Sequence, residues 1–416
     1  MQGKDTTKST FFQLFRPIFR ERTLDFIKRS GVDRYVKKLT AIKLFMLLTF
    51  AQLEQFRGLR DISDSLHNKA RSQSIDLESI SYSQIARRLK AIPTIVLRVL
   101  FQDLIRQAGT KMGFLKIRDY LGRIYLIDAS VISLCLTRYR WAEFRKTKGG
   151  IKLHLRLRLF AQGVLPDHTV ITPAKPNDKT QMDNLIVEED EDAINIFDRG
   201  YVDYRKFDHY CETGTRFVSR LKVNASADVQ KELPVVPGGI IIRDCIVVLG
   251  GYLKRMKHPL RLIETTDTQG NPVTIVTNVF NLSAEEIGEL YRYRWQIEIF
   301  FKWLKQNLHV KHLYGTSEQA VENQIYIALV TYCLLMILKL DTGFNGPLLT
   351  VKRLLRACLY EPLEEFTRKL TAEKSRSSRG RRRQLNHEAI FQQTLNQVEA
   401  GEADFLNDLD YDPVFL

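Results

Sequence analysis

Paired cysteines are missing from this sequence. Its five cysteines, Cys135, Cys211, Cys245, Cys333 and Cys358, are odd in number and form no CxxC spacing. Neither a zinc ribbon nor a disulfide framework is indicated, and a reducing compartment is expected. The N-terminus lacks a secretory pattern. The longest apolar run, "IYIALVTYCLLMIL" from Ile325 to Leu338, is too short for a bilayer span and reads as a core helix. No internal repeat is apparent. These absences leave a soluble, cytoplasmic protein with no membrane partner.

Positive charge is what the chain has in excess. Its 416 residues carry 63 Lys+Arg against 48 Asp+Glu, a net charge of +15 that suits a polyanionic partner without specifying its sequence. Residues 1–115 hold 21 Lys+Arg and 10 Asp+Glu, so most of the excess lies in the first quarter. A second concentration, "KSRSSRGRRR" from Lys374 to Arg383, precedes an acidic end containing Glu399, Glu402, Asp404, Asp408, Asp410 and Asp412. Either region could touch nucleic acid; the ordinary alternatives are a solvated helix face and a linker.

The length suggests two or three domains. Residues 1–115 read as a helical, basic domain. "LTAIKLFMLLTFAQLEQF" has helical apolar spacing, and "SYSQIARRLKAIP" offers Ser81 or Ser83 as a cap for a helix carrying Gln84, Arg87, Arg88 and Lys90. That helix is either a groove reader or an amphipathic helix with a wet face, since no strict helix-turn-helix pattern surrounds it. From residue 116 strands take over: "GRIYLIDASVISL", "IKLHLRLRLF" and "GVLPDHTVITPA". The second alternates, with Lys152, His154, Arg156 and Arg158 expected on a wet or phosphate-facing side and leucines on a buried one. A helix at "KTQMDNLIVEE", a strand at "AINIFD", a helix at "YRKFDHYCE" and a strand at "RFVSRL" follow. This is the order of a ribonuclease H-like mixed α/β domain, running over 116–221. Residues 222–282 read as a β-rich insertion, 283–345 as the helical completion of the catalytic domain, and 346–416 as a basic, then acidic C-terminal segment and candidate dimerisation region.

The stretch "YRYRWQIEIFFKWLKQNL", Tyr291 to Leu308, surrounds ionisable residues with aromatic ones. As one helix at ~100° per residue, it places Tyr291, Arg294, Glu298 and Lys305 within about 60° of one another. Lys302 joins that stripe, while Trp295, Ile297, Ile299, Phe300, Trp303 and Leu304 cover most of the remaining circumference. Ser283 and Glu286 in "SAEE" have capping-box spacing at the helix start. Two further acids stand at the ends of apolar strands: Asp128 after "IYLI" and Asp198 after "INIF". Carboxylates so placed project into the crevice where open α/β sheets bind ligands. With Glu298 they could hold two divalent cations that stabilise the attacking and leaving oxygens of a phosphoryl displacement; all-oxygen ligands suit Mg²⁺ or Mn²⁺.

Tyr291, Arg294, Glu298 and Lys305 match the Y-x2-R-x3-E-x6-K signature, and the chain thereby resembles the insertion sequence 4 family of DDE transposases. Asp128 in "IDAS" and Asp198 in "FDRGY" match that family's two catalytic aspartates. Separations of 70 and 100 residues leave room for its β-insertion before the glutamate. "KGGIKLH" is similar to the family as well, and "DRYVKKLTAIKLFMLLTFAQL" resembles the helical N-terminal domain of many members; the likeness fades after about residue 345. The resemblance implies that Asp128, Asp198 and Glu298 bind the metals, that Tyr291 and Arg294 position a DNA phosphate, and that Lys305 contacts backbone near the scissile end. It implies a prokaryotic, nucleoid-associated cut-and-paste transposase, working as a homodimer on the inverted repeats of its own element and on target DNA. A structure-specific nuclease on the same fold and a transposase-derived repressor are the alternatives; the second would need a dead metal site, and none of the three acids is missing. The family's hairpin-forming members use an insertion-domain tryptophan, but Trp141, Trp295 and Trp303 all lie outside 222–282.

Overall fold

The computed structural model describes residues 9–113, 122–188, 190, 192–222, 224–252, 254–266, 271–308, 310 and 312–372. The chain forms two compact units, one from the chain up to Lys111 and from Ile299 onward, the other from Met112–Glu298. The expected five segments divide differently. The N-terminal helices share a unit with the helices after Glu298, because both need the same apolar helix to bury their faces. The run Lys374–Arg383 and the acidic end lie outside the described residues.

In the first unit, the N-terminal helices are Thr10–Phe15 (α1), Glu21–Arg29 (α2), Ala41–Glu54 (α3), Leu59–Asp64 (α4), Lys69–Ile75 (α5), Tyr82–Ala91 (α6) and Thr94–Gly109 (α7). Ser81 caps α6 in a reciprocal box with Gln84. Arg88 is held by Asp33 and the Leu39 carbonyl, leaving Arg87 and Lys90 exposed on that helix.

The second unit is built on one ten-stranded sheet among the described residues. Its strands are Arg123–Leu134 (β1), Glu143–Arg145 (β2), Lys148–Phe160 (β3), Gly163–Pro173 (β4), Ala193–Phe197 (β5), Arg216–Arg220 (β6), Ala227–Glu232 (β7), Ile241–Leu249 (β8), Leu260–Thr266 (β9) and Pro272–Thr277 (β10). Met182–Leu185 (α8) precedes β5, and Tyr204–Thr213 (α9) links β5 to β6. Strands β1, β3 and β4 pair antiparallel, and β5 and β6 add parallel to β1, which is the ribonuclease H-like arrangement. The glycines of "KGGIKLH" allow close approach at the start of β3: a Cβ on Gly149 would lie 3.1 Å from the Leu134 carbonyl oxygen.

Two local expectations are corrected. The polar side of β3 is not wet: Lys152 and His154 are buried because the segment after β4 covers them. Lys152 Nζ donates to the Pro176 carbonyl at 2.8 Å and pairs with Asp178 at 2.7 Å, while His154 Nε2 lies 3.0 Å from Thr172 Oγ1. Within 222–282, β10 pairs antiparallel with β6 and carries β9, β8 and β7 onto the same sheet. This covers a β6 edge that would otherwise expose unpaired backbone groups. Finally, Tyr291 to Leu308 is not one helix.

Ala284–Arg292 (α10) ends before Trp295–Asn307 (α11) begins. Between them Arg294 N bonds to the Tyr291 carbonyl at 3.0 Å and Ile297 N to the Arg294 carbonyl at 3.2 Å, both three residues back. Such turns advance ~120° per residue, so Tyr291 and Arg294, three residues apart, lie over one another instead of about 60° apart as a continuous helix would place them. In the first unit, Glu318–Asp341 (α12) is followed by Leu348–Cys358 (α13) and Leu363–Thr371 (α14). Helix α12 is long and apolar enough to cross a membrane, but 94% of its most apolar window is buried, as expected of a core helix. It packs on α1, α3, α6, α7 and α13. Its Thr331 donates to Gln52 Oε1 at 3.1 Å, and Asn323 Nδ2 reaches the carbonyls of Leu89 and Ile92 at 2.8 Å, so polar groups fix the register of an otherwise greasy contact.

Candidate active site

Strand register sets the first two acids side by side. The parallel pairing of β1 with β5 ends at Ile127 opposite Phe197, and the next residue on each strand is Asp128 and Asp198. Strand β5 stops there, but β1 continues to Leu134 because β3 remains its partner, so Asp128 lies within a strand rather than at its end. Asp128 Oδ1 accepts from the Ala129 amide at 2.7 Å. Asp198 opens a tight turn, Arg199–Tyr201, in which the Tyr201 amide bonds to the Asp198 carbonyl at 3.0 Å.

The third acid enters from α11. Glu298 occupies its first turn, where the positive end of the helix dipole favours a carboxylate. Arg294 Nη1 lies 2.5 Å from Glu298 Oε1 and 4.0 Å from Asp128 Oδ2, with the Arg294 side chain only 16% exposed. Burial opposes the guanidinium charge, yet Glu298, Tyr291, Asp198 and Asp128 together hold it well above the ordinary arginine range. Burial first, then Glu298 and Asp198, push the Asp128 carboxyl up to about 7 against the opposing pull of Arg294 and the Ala129 amide.

The structure thus brings Asp128, Asp198, Glu298, Arg294 and Tyr291 into mutual electrostatic reach. The Tyr291 hydroxyl is buried without a hydrogen-bond partner among the described residues, and burial raises its pKa to about 12. Its ring lies 5.8 Å from the Arg294 guanidinium carbon. Lys305, two turns beyond Glu298 on α11, belongs to the first compact unit. Sequence reasoning missed Tyr201, 1% exposed, whose hydroxyl also has no hydrogen-bond partner and lies within reach of Asp128, Asp178 and Asp198. Its signal was its place in "FDRGY", three residues after Asp198.

The donor chemistry fits a hard divalent cation, because all three acids offer only oxygen. Among the described residues, no three His, Cys, Asp or Glu side chains are grouped closely enough to hold a metal. The Arg294 guanidinium takes up part of the carboxylate charge instead.

The family described as Transposase DDE domain matches residues 119–334, and a domain described only as of unknown function matches residues 6–74. The chain is 27% identical over 300 residues to a probable transposase for insertion sequence element IS5377 of Geobacillus stearothermophilus, covering 71% of this chain and 74% of that one. It is 30% identical over 252 residues to y4zB of Sinorhizobium fredii, named as a candidate transposase, covering 59% and 68% respectively. A solved piggyBac transposase synaptic complex with hairpin DNA aligns with a TM-score of 0.42 at 10% identity, over 89% of this chain and 83% of that one. With a family match spanning more than half of its length, the chain belongs to the transposase DDE domain family and is a DDE transposase of the insertion sequence 4 family, an enzyme that cleaves DNA and transfers its strands.

Proposed function

We propose that Asp128, Asp198 and Glu298 are the catalytic carboxylates and that they hold two divalent cations, Mg²⁺ or Mn²⁺. Divalent cations are general to the family. The observation that supports the assignment here is the convergence of Asp128 and Asp198, from adjacent strands, with Glu298 around the Arg294 guanidinium, in a setting where burial first, and the neighbouring acids after it, push Asp128 to about 7. Bound there, the cations would stabilise the attacking and leaving oxygens of an in-line phosphoryl displacement.

The chain's own residues bind and orient. Asp128 and Asp198 present carboxylates from adjacent strands, and Glu298 presents one from a helix start. Arg294 holds the acids together before cations and DNA arrive; its planar fork then suits a phosphate that it can grip with two parallel hydrogen bonds. Tyr291 packs beside that guanidinium and orients it. Lys305 supplies a point charge for a phosphate about 10 Å farther along α11, at ~1.5 Å per residue. The reaction is cut-and-paste: hydrolysis exposes a 3′-OH at each transposon end, and that hydroxyl attacks target DNA. The partners are the double-stranded inverted repeats of the element itself and the target duplex, and because two ends require two sites the working form is a homodimer on DNA. The basic N-terminal helices, with Arg87 and Lys90 exposed on α6, supply sequence-independent contact.

The test is cleavage of DNA carrying the element's ends in Mg²⁺. Asp128→Asn, Asp198→Asn and Glu298→Gln should each abolish nicking while retaining end binding. Robust nicking by any of the three would overturn the assignment, and cleavage without joining by the wild type would identify a nuclease.

A further inference from the structure

Phe197, Phe207 and Phe217 stack beneath Asp198, with ring centroids 4.4 to 6.1 Å apart. Tyr201 joins that aromatic group at 6.0 Å from Phe197, but it carries an oxygen the phenylalanines do not. That oxygen is fully buried and has no hydrogen-bond partner among the described residues. A buried hydroxyl left unmet keeps the full cost of its desolvation, so in the folded protein without ligands phenylalanine would be the cheaper residue. The oxygen gains only if a partner comes to it in the working state.

Geometry restricts that partner. Tyr201 closes the tight turn that begins at Asp198, and Asp198 is the neighbour of Asp128 across the β1/β5 pair. Of the carboxylates that act on the phenol, Asp128 acts most strongly, ahead of Asp178 and Asp198. Toward a carboxylate oxygen a phenol can act only as the donor. Asp178 forms an ion pair with Lys152 at 2.7 Å, although its Oδ1 also meets no hydrogen-bond donor among the described residues. Asp128 has one oxygen on the Ala129 amide and the other 4.0 Å from Arg294, too long for a hydrogen bond.

We propose that Tyr201 is a positioning residue of the carboxylate site, donating its phenolic O–H to Asp128 when the site takes up its cations. The Ala129 amide and the Tyr201 hydroxyl would then fix the rotation of the carboxylate, leaving a lone pair aimed at the cation. Carboxylates that ligate metals are commonly held by such partners, and removing one typically costs 10–100-fold in metal affinity. The inference rests on the metal assignment proposed above.

Tyr201→Phe deletes only the oxygen, and the full-length protein can be titrated with Mn²⁺ alone, reading free Mn²⁺ by electron paramagnetic resonance. The expected result is a 10–100-fold weaker Mn²⁺ dissociation constant for Tyr201→Phe, with an equal or higher melting temperature in EDTA and unchanged binding of end DNA in EDTA. Wild-type Mn²⁺ affinity in Tyr201→Phe, alongside loss of affinity in Asp128→Asn, would overturn the role of Tyr201 and leave the metal assignment standing. Wild-type affinity in Asp128→Asn, or no Mn²⁺ binding by the wild type, would overturn both. A lower melting temperature in EDTA for Tyr201→Phe would show that the hydroxyl is structural and would also overturn the proposal.

Discussion

The sheet-bearing unit buries two arginine and carboxylate groups, and they are balanced differently. Arg261 and Asp244 form a closed pair: Nε lies 2.9 Å and Nη2 2.6 Å from the two carboxylate oxygens, and Nη1 reaches the Leu282 carbonyl at 2.5 Å. Each residue is less than a tenth exposed, with one charge of each sign and nearly every donor met. Arg294 instead faces three carboxylates, and burial first, with Glu298 and Asp198 after it, holds the Asp128 carboxyl up to about 7 against the pull of Arg294. A closed pair holds strands β8 and β9 together and asks for nothing more. An open group has spent stability on charge that only another cation can offset, which is what a site for a ligand looks like before the ligand arrives.

The comparison predicts opposite consequences for removing a charge. At the open group, Asp128→Asn should lower cleavage by at least ~1,000-fold, about 4 kcal/mol of barrier, while melting in EDTA occurs at the same or a higher temperature. At the closed pair, Arg261→Met strands a buried carboxylate and should cost about 3–5 kcal/mol in urea unfolding, with most of it recovered in Arg261→Met/Asp244→Leu. No recovery in that double variant would mean that packing, not charge balance, sets the cost.

A third arrangement sharpens the contrast. Lys352 is buried with the neutral Asn307 oxygen at 3.4 Å, and burial first, then Arg356 and Arg353 against the weaker pull of Glu54, lowers its pKa from 10.5 to about 8. The unfolded chain therefore holds more protons across that window, so stability rises as pH climbs from about 8 to 10.5 and the full penalty is present below 8. Lys352→Met should gain stability at neutral pH, on the order of 3 kcal/mol at most, and flatten the pH dependence between those values; an unchanged slope would contradict this. The smallest effect is expected at Lys305, outside both groups. Lys305→Ala should reduce the salt slope of end binding by about 1 with cleavage retained at saturating DNA, and an unchanged slope would remove its phosphate role.

Much of this was legible because the informative residues follow local rules. Asp128 and Asp198 terminate or interrupt short apolar runs, which are the buried parallel strands, and the strand order around them gave the arrangement of the sheet. Glu298 and Arg294 were legible through spacing. What escaped was whatever depends on distant chain. The alternation of β3 implied a wet face, but the segment carrying Pro176 and Asp178 covers Lys152 and His154. Nothing local says that β10 will choose the β6 edge. The tight turn between α10 and α11 contains neither proline nor glycine, so the helical period ran through it unbroken on paper. Tyr201 was passed over because a tyrosine among phenylalanines resembles any core aromatic until its oxygen is found without a partner.

The central claim is that the open group is a cation site, and the most direct measurement is the melting temperature against Mn²⁺ concentration without DNA, for the wild type and for Asp128→Asn. The wild type should gain stability as RT ln(1 + [Mn²⁺]/Kd), about 2.7 kcal/mol at a hundredfold excess over Kd, while Asp128→Asn starts equal or higher in EDTA and stays flat. A flat wild-type curve, or an equal rise in Asp128→Asn, would contradict the account.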